Sequence, residues 1–112
     1  EQLICQICKD VMPFRKRTGE YYFEAVEVLP GALLPREEEK QFLALCPVCA
    51  AMYREFVKND EAALERFRSA VLTAQNYEIP VELGDLSTSV RFVEKHFVDL
   101  RTILTSEDED PL

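Results

Sequence analysis

The spacing of the four cysteines constrains the fold of this chain more than any other feature. They form two C-x-x-C pairs, Cys5 with Cys8 and Cys46 with Cys49, and 37 residues separate the pairs. A gap of two residues lets both thiolates of a pair reach one ion at about 2.3 Å, and four thiolates complete a tetrahedral Zn²⁺ site. The pattern predicts one structural zinc ion between a first knuckle, residues 5–8, and a second knuckle, residues 46–49.

Two other uses of paired cysteines stay open at this point. Two disulfides would suit an oxidising compartment, whereas a thioredoxin-like redox pair is expected once, in a βαβ context. If zinc is bound, we expect it to be structural, because four protein ligands leave no open position for water or substrate. The first half of the chain, about 58 residues, is near the size at which a core alone is marginal, so metal binding should be coupled to folding.

Charge and hydropathy narrow the classes of function. Net charge is −8, and the C-terminal SEDEDPL supplies four acidic groups, which leaves about −4 on the rest of the chain. An anionic protein repels phosphate, so the charge argues against a general nucleic-acid binder.

No apolar run reaches the roughly 20 residues that span a bilayer, and the first residues do not resemble a signal peptide, which favours an intracellular protein. Because no initiator Met is present, we expect one module of a longer polypeptide that contacts adjacent domains or a protein partner.

Turn-forming residues divide the first half into short elements. The aromatic and β-branched segment 20–29 predicts a strand, and the segment PGALLPREEEK then breaks it. A short lead-in, QFLAL, precedes the second knuckle. The segment PVCAAMYREFVK is typical of a helix that begins inside this knuckle.

The second half predicts a helix, a hairpin and another helix. Asn59 or Asp60 is a suitable N-cap for the first helix, and the hairpin turn is expected at Gly84 and Asp85. The residues predicted to face the core at helical spacing are Leu64, Phe67, Val71 and Leu72 in the first helix, and Phe97, Leu100, Ile103 and Leu104 in a final helix over roughly 93–104.

Together these elements predict an α+β fold with three parts. Residues 1–58 form the four-cysteine zinc module, and residues 59–105 form a helix–hairpin–helix extension that packs on it. Residues 106–112 form an acidic tail.

The order of first knuckle, strand, loop, second knuckle and helix resembles a treble-clef zinc fold. More specifically, residues 3–58 resemble the zinc-containing branch of the HNH (His-Asn-His) endonucleases. In that family a strand similar to E-A-H-H-I carries the first histidines. An asparagine stands about five residues before the third cysteine, and a histidine directly follows the fourth. The resemblance implies a catalytic divalent ion at these residues, separate from the structural zinc.

This sequence departs from the HNH pattern at each catalytic position. The strand FEAVEVL places Val26 and Glu27 where the histidine pair would stand, Gln41 takes the asparagine position, and Ala50 takes the final histidine position. Valine and alanine neither bind a metal nor transfer a proton, so we expect no catalysis by the family mechanism. The resemblance implies a degenerate, non-catalytic module that serves domain assembly or protein recognition.

Two alternatives to this hypothesis use charged residues. A nucleic-acid-binding module would retain phosphate contacts through the basic cluster Arg15, Lys16 and Arg17. The simplest interpretation of this cluster is a solvated loop, and contact with an acidic partner is another alternative. A functional metal-dependent nuclease would need carboxylates to replace the histidines. Glu24 and Glu27 are poorly placed for one ion, because side chains three apart on a strand point to opposite faces.

The remaining residues have simpler interpretations. His96, the single histidine, is predicted to lie on the surface of the last helix, and the acidic run 37–39 in a solvated loop or helix start. The aromatic residues predicted to lie in the core are Tyr21, Tyr22, Phe23, Phe42 and Phe56.

Overall fold

The computed structural model describes residues 2–29 and 42–108. Within these ranges the chain is a small α+β fold with two antiparallel two-stranded sheets, three α-helices and a cluster of four cysteines. The predicted loop, the acidic run 37–39 and the end of the tail, residues 109–112, lie outside the described residues.

The first sheet pairs β1 (Glu24–Glu27) with β2 (Phe42–Leu45) in antiparallel register, with Val26 opposite Leu43. Both of these side chains are buried, so the sheet presents one face to the core. The strand predicted over 20–29 is therefore too long.

The observed strand is shorter than the predicted one because residues 14–22 fold back on themselves before β1 begins. Arg15 pairs with Tyr21 in an isolated bridge, and the N–H of Lys16 donates to the Glu20 carbonyl at 2.7 Å. Gly19 adopts a φ of +96°, a conformation that residues with a Cβ rarely adopt. The aromatic residues before β1 thus belong to a separate small hairpin.

The first helix begins inside the second knuckle, as predicted. Helix α1 (Pro47–Tyr53) has Cys46 as its N-cap and Pro47 at its first position, where the missing N–H costs no hydrogen bond. It continues as one π-helical stretch, Arg54–Lys58, in which the N–H of Asn59 donates to the Arg54 carbonyl at 3.0 Å. This wider turn ends the helix.

Helix α2 (Glu61–Thr73) starts at a side-chain cap. The Asp60 carboxylate accepts hydrogen bonds from the N–H groups of Ala62 and Ala63 at 3.0 and 3.2 Å, so the predicted cap is Asp60 rather than Asn59. The buried face of the helix consists of Ala63, Leu64, Phe67 and Val71. Leu72, also predicted for the core, is only partly buried.

The second sheet is the predicted hairpin, β3 (Glu78–Leu83) and β4 (Leu86–Arg91). Its two-residue turn has a positive φ at Gly84 but not at Asp85, the pattern of a type II′ turn, which explains the Gly-Asp order. A Cβ at Gly84 would also lie 3.0 Å from the Phe56 ring, so both conformation and space favour glycine there.

Helix α3 (Glu94–Asp108) completes the described chain and runs into the predicted acidic tail. Phe97 and Leu100 are buried as predicted, whereas the side chains of His96, Ile103 and Leu104 lie outside the described residues. Buried residues from both halves form one cluster, whose largest fully buried members include Tyr53, Ile7, Leu29, Leu43, Ile79 and Leu100.

The aromatic core differs from the prediction. Phe23 and Phe56 are exposed by 43% and 41%, and Tyr21, Tyr22 and Phe42 are only partly buried. The aromatic residues that are buried are Tyr53, Phe67, Phe92 and Phe97. Tyr21 still packs against the core cluster, whereas Phe23, also before β1, is exposed.

Candidate metal centre

The first knuckle is a tight turn that places Cys5 and Cys8 on one side. The N–H of Cys5 donates to the Asp10 carbonyl at 2.9 Å, and the N–H of Lys9 donates to the Cys5 carbonyl at 3.0 Å. Lys9 closes the turn with a φ of +65°, a conformation that costs a non-glycine residue about 1–2 kcal/mol.

The second knuckle uses the start of helix α1. The N–H of Cys49 donates to the Cys46 sulfur at 3.5 Å, so Cys46 is a metal-ligand candidate and a helix cap at once. Cys49 lies in the first turn of the helix and is 4% exposed. The helix start therefore fixes the direction of both side chains.

The two knuckles bring all four cysteines together. The sulfur atoms of Cys5, Cys8, Cys46 and Cys49 all lie within 4.8 Å of one another. Four sulfurs around one tetrahedral ion at about 2.3 Å would be separated by about 3.8 Å, so small movements complete the coordination. All four are free thiols, so no disulfide competes with the ion. The cluster is positioned for one metal ion.

Backbone hydrogen bonds to the Cys5 sulfur stabilise its thiolate form. Burial alone would raise the pKa of Cys5, but backbone N–H groups hold it below the usual value. At Cys8 and Cys49 burial dominates and raises the pKa, with a further contribution from neighbouring cysteine sulfurs. The N–H donors that lower the pKa of Cys5 belong to Cys46, Cys8 and Ile7. Cys5 and Cys49 are buried, Cys46 is partly buried and Cys8 is exposed, and a bound divalent cation would supply the positive charge that four clustered thiolates require.

Gln6, the residue after Cys5, connects the first knuckle to both sheets. Its side-chain oxygen accepts from the Ala44 N–H at 2.8 Å, and its side-chain nitrogen donates to the Arg91 carbonyl at 3.0 Å. The backbone of Gln6 adds bonds to the same two residues, at 3.1 and 2.7 Å. One side chain, next to Cys5 in the chain, thus links β2 to β4.

Lys9 makes a second connection to β3 and β4. Its ammonium group donates to the backbone carbonyl and the hydroxyl of Ser89 at 2.7 Å each, and lies 3.8 Å from the Glu78 carboxylate. The hydroxyl of Ser89 in turn donates to Glu78, and this hydrogen bond holds the Glu78 pKa below its usual value. Hydrogen bonds and an ion pair of Lys9 therefore connect the first knuckle to the second half of the chain.

Replacing Gln6 by Ala tests this connection. We expect the free energy of unfolding to fall by about 1–3 kcal/mol, because the Ala44 N–H loses its side-chain acceptor and Arg91 loses a donor. Chemical denaturation of the metal-loaded protein measures the effect. Gln2→Ala removes an exposed glutamine and should change stability by less than about 0.5 kcal/mol. Equal effects of the two substitutions would contradict the structural role of Gln6.

The positions that resemble the HNH catalytic histidines are placed as follows. Val26 is 2% exposed and Ala50 is fully buried, so both are part of the core. Glu27 forms an ion pair with Lys58 at 3.1 Å, and Glu24 forms one with Arg54 at 3.0 Å. Gln41 lies outside the described residues.

The basic cluster lies at the tip of the small hairpin. The Arg15 guanidinium stacks on the Tyr21 ring at 4.1 Å and donates to the Gly19 carbonyl, and Lys16 lies 3.5 Å from the Glu20 carboxylate. Arg17 has no ion pair or hydrogen bond with any residue in the described part of the chain. Two of the three cations therefore already have contacts within the hairpin.

Comparisons of this chain with protein-family models, with curated proteins and with solved structures found no match. The HNH resemblance thus remains an interpretation of the motif. Among the described residues, no helix has the length and apolar character needed to cross a membrane.

Proposed function

We propose that this chain is a non-catalytic structural zinc module of treble-clef type. The observation that carries the proposal is the set of four cysteine sulfurs within 4.8 Å of one another. Thiolates are soft ligands, and a tetrahedral set of four favours Zn²⁺ in a structural site. The order of first knuckle, antiparallel strands β1 and β2, and second knuckle at the start of α1 supports the treble-clef assignment.

Three features support the absence of nuclease chemistry. Four cysteine ligands would close the coordination sphere, so the zinc would have no position for an attacking water. Val26 and Ala50 are packed in the core and offer no ligand atom. The ammonium of Lys58 lies 3.1 Å from the Glu27 carboxylate, and its positive charge would repel a metal cation bound there.

The proposed role is domain assembly or protein recognition within a larger protein. The N-terminal and C-terminal halves share one buried cluster. Zinc would therefore stabilise the surfaces of both halves and not only those of the first. Nucleic-acid binding has less support, because the net charge of −8 repels the phosphate backbone.

Elemental analysis of the purified protein tests the proposal. We expect one zinc per chain, and loss of folded structure when a strong chelator removes it. A plasmid-nicking assay with Mg²⁺ or Mn²⁺ should detect no cleavage. Absence of bound metal would contradict the zinc assignment, and metal-dependent nicking that Glu27→Ala abolishes would contradict the non-catalytic assignment.

A further inference from the structure

The small hairpin formed by residues 14–22 is the starting point for a further inference, which rests on the recognition role proposed above. The N–H of Tyr22 donates to the Phe14 carbonyl at 3.0 Å, and the N–H of Gly19 donates to the Lys16 carbonyl at 2.9 Å. The Phe14 and Tyr22 rings stack at 5.0 Å with an angle of 11° between their planes. The hairpin is therefore held in one shape by its own contacts.

The other face of this hairpin lines an open groove of about 450 Å³. Its apolar lining consists of Tyr21, Phe23, which is 43% exposed, and the partly buried Leu3. The complete lining consists of Gln2, Leu3, Arg15, Lys16, Glu20, Tyr21 and Phe23. A groove with apolar walls and fixed polar groups is suited to a side chain from a partner.

The groove is positively charged although the protein is not. Among the lining residues, Arg15 and Lys16 contribute two positive charges and Glu20 one negative charge, a net charge of +1. Arg17, the residue after Lys16, raises the local net charge to +2 in a chain of −8. The Arg15 guanidinium is fixed by Tyr21 and the Gly19 carbonyl, yet it uses only two of its five N–H donors in hydrogen bonds. Preorganised donors lose little entropy when a carboxylate binds.

The difference between local and total charge selects the class of partner. Charges farther apart than the Debye length of about 8 Å are screened at physiological salt, so a short ligand experiences mainly the local +2 of the groove and the adjacent Arg17. A long polyanion also meets the acidic remainder of the protein and is repelled by it. Charge complementarity therefore favours a short acidic peptide over nucleic acid.

We propose that this groove binds a short acidic segment of a partner protein that carries a large apolar side chain beside its carboxylates. The apolar side chain packs between Leu3 and Phe23. One carboxylate binds the free N–H groups of Arg15, and Arg17, which lacks a partner within the described ranges, contacts a second.

Fluorescence anisotropy with a short labelled peptide of alternating aspartate and leucine tests this inference. We expect binding that weakens with salt and falls at least tenfold in Arg17→Glu. Arg66→Glu, which makes the same charge change on α2, should leave the affinity within about twofold. A peptide with asparagine in place of aspartate should bind at least tenfold more weakly.

Three results would overturn the inference: no peptide binding at low salt, equal loss in Arg17→Glu and Arg66→Glu, or tighter binding of an oligothymidylate probe than of the acidic peptide. Zinc content and thermal unfolding are measured on the same preparations. A folded, zinc-loaded protein that fails to bind the peptide removes only the groove assignment. Absence of zinc removes the proposed function, whatever the peptide does.

Discussion

Cys49→Ser is expected to abolish metal binding and to leave the chain largely unfolded. Serine keeps the size of the side chain but does not form an anionic ligand at neutral pH, so one of four coordination positions is lost. Binding of structural zinc contributes about 10–16 kcal/mol in small zinc-dependent peptides, whereas whole domains are stable by only about 5–15 kcal/mol. Loss of the ion should therefore exceed the stability that the core supplies.

Circular dichroism and elemental analysis measure this outcome together. The matched control is Val48→Ser, which changes a residue between the two ligands of the second knuckle that is 65% exposed. This control should retain one metal ion and a cooperative unfolding transition. Chelation of the unmodified protein separates loss of the ion from loss of packing, because every side chain is then intact. A Cys49→Ser protein that keeps its metal and its unfolding temperature would contradict the four-thiolate site.

Loss of the metal ion should also destabilise the second half of the chain. Gln6 and Lys9 connect the first knuckle to Arg91 and Ser89 on β4, so a disordered knuckle leaves those groups without their partners. Hydrogen exchange should therefore show that β3 and β4 lose protection when the metal is removed. Faster exchange confined to residues 2–29 and 42–58 would indicate two independently stable halves instead.

The parts of the fold that were predictable from sequence follow local rules. The four-cysteine cluster follows from two C-x-x-C gaps, the start of α2 from the capping preference of Asp60, and the β3–β4 turn from the Gly84–Asp85 pair. Each of these signals lies within a few neighbouring residues. Propensity and spacing are therefore sufficient to place them.

The predictions from sequence fail where a distant contact or a competing turn determines the local structure. Strand propensity over 20–29 is real, but the turn at Gly19 pairs Tyr21 with Arg15 and leaves only Glu24–Glu27 for β1. Gln6 contacts a residue 85 positions away, a link for which no periodic pattern exists. Such contacts depend on the completed fold, so the structural role of Gln6 was not predicted.

Tyr53 is another residue whose importance only the fold shows. It ends helix α1, is fully buried, and donates its hydroxyl to the Val28 carbonyl at 2.9 Å. Its ring meets Phe67 of α2 edge to face at 5.9 Å. One side chain thus joins the end of β1, the first helix and the second helix.

Tyr53→Ala is expected to lower the free energy of unfolding by about 3–5 kcal/mol, because it removes a buried ring and leaves a cavity. Tyr53→Phe keeps the ring but leaves the Val28 carbonyl without its donor, for an expected loss of about 1–3 kcal/mol. Tyr77→Phe removes the hydroxyl of a tyrosine that is 41% exposed, and should cost less than about 0.5 kcal/mol. Denaturant unfolding of the zinc-loaded proteins measures all three.

The pH dependence distinguishes the hydroxyl of Tyr53 from the packing of its ring. Burial raises the pKa of Tyr53 in the folded protein above that of the unfolded chain, so above about pH 10 the unfolded state releases a proton that the folded state keeps. Stability should therefore fall with rising pH in that range, and the fall should be smaller in Tyr53→Phe than in the unmodified protein. Identical alkaline profiles for these two proteins would show that Tyr53 ionises as readily when folded as when unfolded, and that its hydroxyl is not buried against Val28.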